Sequence, residues 1–87
     1  MINVKILSLG APERYAVRRM VVVAQNEFQQ QYPSLAIQIR EVDDSSEIGK
    51  YESVLVLPTL VINEKVVCSG YFPSKEAVLA WLQEAIE

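Results

Sequence analysis

Two periods divide the chain. Residues 2–9 are apolar and β-branched up to Gly10, interrupted only by Asn3 and Lys5 near the start and by Ser8. From Ile6 onward both faces are apolar, which predicts a central strand covered on both sides. The period then changes. Val17, Met20, Val21, Ala24 and Phe28 recur at helical spacing, so residues 12–31 read as a helix opened by Pro12 and stopped at Tyr32-Pro33-Ser34. Val21-Val22-Val23 is a local conflict, because β-branched residues are mediocre helix formers. Residues 35–42 alternate, with Leu35, Ile37 and Ile39 on one face and Gln38 and Arg40 on the other, as in a half-exposed edge strand. Asp43-Asp44-Ser45-Ser46 supplies N-cap chemistry for a short helix running to Tyr51 and weakened by Gly49. Residues 59–62 and 65–69 are strands joined by Asn63-Glu64, which is hairpin spacing. After Gly70, Ser74 caps a last helix whose buried stripe is Val78, Trp81, Leu82 and Ala85, flanked by Leu79 and Ile86. The predicted order is β-α-β-α-β-β-α.

Composition narrows the chemistry. Eighty-seven residues, 51% hydrophobic and 22% charged, make one small α/β domain over residues 1–87. No apolar run approaches the roughly 18 residues that span a bilayer, and the N-terminus lacks a signal-peptide pattern, so a cytoplasmic, membrane-free protein is expected. The net charge of −3 and scattered basic residues argue against a nucleic-acid partner. The acidic run Glu41-Val42-Asp43-Asp44 reads as a solvated turn and helix start. The chain has no histidine, which removes Ser-His-Asp and Cys-His catalysis and histidine metal sites. Its one cysteine, Cys68, rules out an internal disulfide, and a thiolate metal site would need several chains. No metal and no cofactor are expected.

Pro58-Thr59-Leu60-Val61-Ile62-Asn63-Glu64-Lys65-Val66-Val67-Cys68-Ser69-Gly70, then Phe72-Pro73-Ser74-Lys75-Glu76, with Ile48, Tyr51 and Val54 before them, resemble the small thioredoxin/glutaredoxin-like redox-disulfide proteins. The similarity runs over nearly the whole chain. It implies the minimal thioredoxin topology, a four-stranded mixed sheet of order 2-1-3-4 with three helices. It also implies a cis Leu57–Pro58 bond, with the Leu57 backbone offered to an extended peptide or to glutathione. In that family the first strand-to-helix turn carries Cys-x-x-Cys, the first thiol acidified by the helix N-terminus and the second resolving the mixed disulfide. Here that turn is Gly10-Ala11-Pro12-Glu13-Arg14. Ala11 has no ionisable atom and Arg14 replaces the resolving thiol, so no catalytic residue is assigned.

The reading of function follows from a retained scaffold without its sulfurs. The first expectation is a non-catalytic thioredoxin-like domain that binds an unidentified protein segment or a small thiol ligand. Its site would be the vestigial turn of Gly10, Ala11, Pro12, Glu13 and Arg14, together with Leu57, Pro58, Thr59, Tyr71 and Phe72. Tyr15 can join this aromatic surface, and Leu57–Pro58 reads equally as a packed turn. Arg14 with Arg18 reads first as a solvated helix face and second as a cationic rim for an anionic ligand. Cys68 reads as a small apolar strand residue. The alternative is redox chemistry through that thiol alone or through an intermolecular disulfide. A third reading is a structural self-associating subunit, contacting through Val22, Val23 and the edge strand, either a monomer or a weak homodimer. Trp81 reads as core.

Overall fold

The computed structural model describes residues 1–51 and 56–87. Its elements are β1 (Ile2–Leu7), α1 (Ala11–Gln31), β2 (Ile37–Val42), α2 (Ser45–Ile48), β3 (Thr59–Ile62), β4 (Lys65–Ser69) and α3 (Lys75–Ile86). The four strands form one mixed sheet of order β2-β1-β3-β4. β1 runs parallel to β2 and antiparallel to β3, and β3 and β4 close the hairpin. This is the expected α/β class, element order and strand order, with β2 on an edge.

The sheet's two faces divide the core. Ile2, Val4 and Ile6 of β1, Leu60 and Ile62 of β3 and Cys68 of β4 pack under Val17, Val21, Ala24 and Phe28 of α1 and Val78 and Leu82 of α3. That contact resolves the triple-valine conflict: Val21 is fully buried, Val22 half-buried and Val23 exposed. Burying a side chain such as Val21 contributes about 1.5–3 kcal/mol, well above the few tenths that its helix propensity costs. Trp81 is half-buried against the same cluster. On the opposite face the short α2 covers only one end, where Ile48 joins Leu7, Val42 and Val61. Beyond it this face is polar. Lys5 Nζ donates to Tyr51 Oη at 2.9 Å and pairs with Glu64 Oε1 at 2.8 Å. Val54, used above for the resemblance, and Leu55 lie outside the described residues.

Several boundaries differ from the sequence reading, each for a local reason. β1 stops at Leu7 rather than Leu9, because the Ser8 hydroxyl bonds within the turn to Gly10 and Leu9 swings out, 60% exposed. β2 starts at Ile37 rather than Leu35. Leu35 N–H donates back to the Tyr32 carbonyl at 3.0 Å in the turn that ends α1. α2 ends at Ile48 rather than Tyr51, although its cap is the expected one: Asp44 Oδ1 accepts from Ser46 N–H at 2.8 Å. Asn63 and Glu64 both take positive φ, 50° and 66°, the conformation a two-residue hairpin demands. Glu64 holds it while bonded to Lys5 and Tyr51.

Candidate functional site

The strand register brings three segments to one end of the sheet. Leu7 at the end of β1 pairs with Thr59 at the start of β3, which pairs with Ser69 at the end of β4. Residues 8–14, 56–58 and 70–72 therefore converge, and this end is where the resemblance put the family's thiols.

The first segment is the β1–α1 turn. Ser8 N–H donates to the Val42 carbonyl at 3.1 Å, so the chain stays in the sheet for one more bond. Ser8 Oγ then accepts from Gly10 N–H at 3.2 Å. Gly10 is the N-cap of α1 and has no side chain to cap it; Arg14 N–H donates to its carbonyl at 3.2 Å. The Glu13 carboxylate folds back over Gly10, where a Cβ would overlap it. An anion at a helix N-terminus is stabilised by the helix dipole. Glu13 thus supplies the negative charge that a thiolate at position 11 would have supplied.

Arg14 departs from both expectations. Its side chain is only 12% exposed, so it is neither a solvated helix face nor an open cationic rim. Nη1 donates to the Ser8 carbonyl at 3.0 Å, Nε faces Glu41 Oε1 at 3.5 Å and Nη2 faces Asp43 Oδ2 at 3.8 Å. Arg18 pairs with the other Glu41 oxygen at 2.7 Å. The guanidinium is turned down onto the ends of β1 and β2, and its charge is met within the chain. Glu41 is accordingly no solvated turn residue. It shares the parity of Ile37 and Ile39 on β2 and so lies on the α1 side of the sheet. Extending the alternation two residues beyond Ile39 gives that position from sequence.

The second and third segments are tied together. The Leu57–Pro58 peptide bond is cis. The Val56 carbonyl accepts from Thr59 Oγ1 and from Ser69 Oγ, each at 2.9 Å, and Gly70 N–H donates to the Pro58 carbonyl at 2.9 Å. Gly70 sits at φ +87°, where a Cβ would come within 2.9 Å of Val56 Cγ1. Pro58 and Thr59 are buried. The Leu57 side chain packs against the Leu7, Val42, Ile48 and Val61 cluster, so any contact it offers a ligand is through its backbone. Among the described residues, neither its N–H nor its carbonyl has a partner.

Around this end stand Leu9, Tyr15, Val56, Tyr71 and Phe72, each more than half exposed. Among the described residues they are five of the seven large hydrophobic side chains so exposed, Met1 and Val23 being the others. Sequence reasoning reached Tyr15, Tyr71 and Phe72 but missed Leu9, which it placed inside a strand, and Val56. Cys68 lies beneath, 4% exposed, its Sγ donating to the Tyr71 carbonyl at 3.3 Å. Burial pushes its thiol above the ordinary value of 9.0, and the contact with Tyr71 only partly offsets this. At neutral pH it is protonated and shielded, the reverse of a reactive thiolate.

Comparisons with known proteins agree with this geometry. No curated protein matches the chain. A solved structure described as that of a malarial protein superposes with a TM-score of 0.58 at 17% identity, covering 100% of this chain and 99% of the other, a likeness of fold alone. The family model described as thioredoxin domain matches residues 2–83. With one cysteine in the whole sequence and Ala11 and Arg14 at the first turn, the chain belongs to the thioredoxin domain family as a degenerate member without the Cys-x-x-Cys pair.

Proposed function

We propose that this chain is a non-catalytic binding module that holds an extended protein segment or a small thiol compound at the end of the sheet formed by residues 8–14, 56–58 and 70–72. One observation carries the reading: five of the seven exposed large hydrophobic side chains among the described residues gather where the family's reactive sulfurs are missing. Clustered apolar exposure is the signature of an interaction surface, whereas scattered exposure is ordinary. The Leu57 backbone beside Pro58, without a partner among the described residues, suits the addition of an extended strand. Burial of Cys68 and the upward shift of its thiol weigh against redox chemistry through that residue.

The test is a chemical-shift titration of the full chain with reduced peptides and with glutathione, paired with a disulfide-reduction assay. The expected result is movement of the Gly10, Tyr15, Gly70, Tyr71 and Phe72 amides and no turnover. Unmoved amides would end the binding-site reading, and turnover at a thioredoxin-like rate would end the non-catalytic one.

A further inference from the structure

We propose that the occupant of this surface is a cationic, apolar protein segment held without a covalent bond, and not an anionic thiol such as glutathione. The inference rests on the reading of this end as a binding site and names what that site selects.

Charge separates the two kinds of ligand. The segments that make up this end, residues 8–14, 42–46, 56–59 and 69–73, contain three carboxylates, Glu13, Asp43 and Asp44, and one cation, Arg14. The local formal charge is therefore −2, from three negative groups against one positive. The single cation is not available to a ligand, because it faces Ser8, Glu41 and Asp43 and is 12% exposed. The carboxylates are exposed, each with one contact inside the chain: Glu13 folds over Gly10 at the start of α1, Asp44 Oδ1 accepts from Ser46 N–H at 2.8 Å, and Asp43, 69% exposed, faces Arg14 at the long distance of 3.8 Å. Of the nearest cations two are engaged, whereas Arg19, one turn beyond Tyr15 on α1, and Lys50, after α2, are exposed and without an ion pair among the described residues. Arg18 is held by Glu41, and Arg40 by Glu47 at 3.0 Å. Lys75 is drawn to Glu27, some 14 residues and so about 21 Å along α1 from Glu13.

An apolar surface whose rim carries an excess of exposed carboxylates favours a partner with apolar side chains between lysines or arginines, and it disfavours a ligand with excess carboxylate. A second copy of the chain would bring its own acidic rim to the contact, which disfavours self-association through this end. Because Ala11 offers no sulfur, the complex forms and dissociates without any bond being made.

Two acetylated, amidated eight-residue peptides test this. They share a Leu-Val-Phe-Val core and differ only in their flanks, two lysines on each side or two glutamates. Each is titrated into the labelled full chain at low salt (20 mM) and high salt (300 mM), with glutathione as a third ligand. The expected result is at least about tenfold tighter binding of the lysine-flanked peptide at low salt. That preference falls several-fold at high salt as screening shortens the reach of the charges. In the Glu13→Gln/Asp43→Asn double variant the preference falls while the same amides still move. Equal, salt-independent binding of the two peptides would overturn the charge selection and leave the site standing. Tighter binding of the glutamate-flanked peptide or of glutathione would do the same. If no ligand moved the amides at this end, the site itself would fall and this proposal with it.

Discussion

Arg14 is the residue whose removal tests the local physics most directly. Substituting Arg14→Ala deletes the Nη1 donor to the Ser8 carbonyl, two facing carboxylate contacts and the buried stem of the side chain. Ser8 is 2% exposed, so its carbonyl loses a charged donor in a place where water reaches poorly. A hydrogen bond to a charged group is worth about 1.5–3 kcal/mol, while the two long ion pairs, at 3.5 and 3.8 Å, add at most about 1 kcal/mol between them. The expected loss is about 2–3 kcal/mol. Arg18→Ala is the internal control. Arg18 has the shorter ion pair, 2.7 Å, but is 47% exposed, so its loss costs only about 0.2–1 kcal/mol. Ranking by distance would thus put Arg18 first, whereas ranking by burial puts Arg14 first. Urea unfolding followed through the half-buried Trp81 measures both. With a slope of about 1 kcal/mol per molar urea, Arg14→Ala lowers the midpoint by about 2–3 M and Arg18→Ala by less than about 1 M. Arg14→Lys recovers little, since an ammonium cannot reproduce the guanidinium fork. An Arg14→Ala cost no greater than that of Arg18→Ala would refute the assignment of Arg14 as an internal clamp.

Other consequences are open to direct measurement. Cys68 in the native protein reacts slowly with iodoacetamide and its rate inflects above pH 9.0, since burial raises the thiol; an inflection near or below 8.5 would contradict its placement. Because that folded pKa is raised, its contribution to stability is present below pH 9 and is lost as pH climbs through the raised value, which denaturation between pH 7 and 10.5 detects. Ala11→Cys in a Cys68→Ser background places a thiol at the first position of α1, and its alkylation inflects below that of Cys68 in the native protein, by the effect of a helix N-terminus. A single mixed disulfide forms with a small disulfide reagent, without turnover. Gly70→Ala costs about 1–2 kcal/mol in urea unfolding, from the left-handed φ of +87° and the approach to Val56. Glu64→Gln flattens the acid limb of the stability profile. Lys5 holds the Glu64 carboxyl below its ordinary 4.5, so the wild-type contribution is present above pH 4.5 and is lost as pH falls through the lowered value.

Element order was legible because it is written in local periodicity. The paired parity of β2, the Ser74 cap of α3 and the Asn63-Glu64 turn each depend on residues within a few positions of one another. The limits of the site were not legible for the same reason. Leu9 continues the apolar run of β1, and nothing in the sequence marks that the Ser8 hydroxyl will end the strand by bonding across the turn. Arg14 and Glu41 are 27 positions apart, and only the parallel pairing of β1 with β2 brings the latter under α1. For Leu57 the sequence left a backbone offered to a ligand and a packed turn equally open, because the cluster that claims its side chain draws on Leu7, Val42, Ile48 and Val61, from four different elements.

The replacement of sulfur by Ala11 and Arg14 also sets what affinity this surface can reach. A thiol enzyme retains its partner through a disulfide, so its non-covalent contacts can be weak. Without that bond, residence depends on contact alone. Complete burial of one large apolar side chain yields about 1.5–3 kcal/mol, so covering the exposed half of five yields roughly 4–7 kcal/mol. Association itself costs at least about 4 kcal/mol in lost translation and rotation. Apolar contact at this end therefore leaves little net binding. Selective binding must draw on backbone pairing at Leu57 and on the charge of Glu13, Asp43 and Asp44. Both are directional or sign-dependent, which is why the discriminating variable for this surface is the flanking charge of the partner rather than its hydrophobicity.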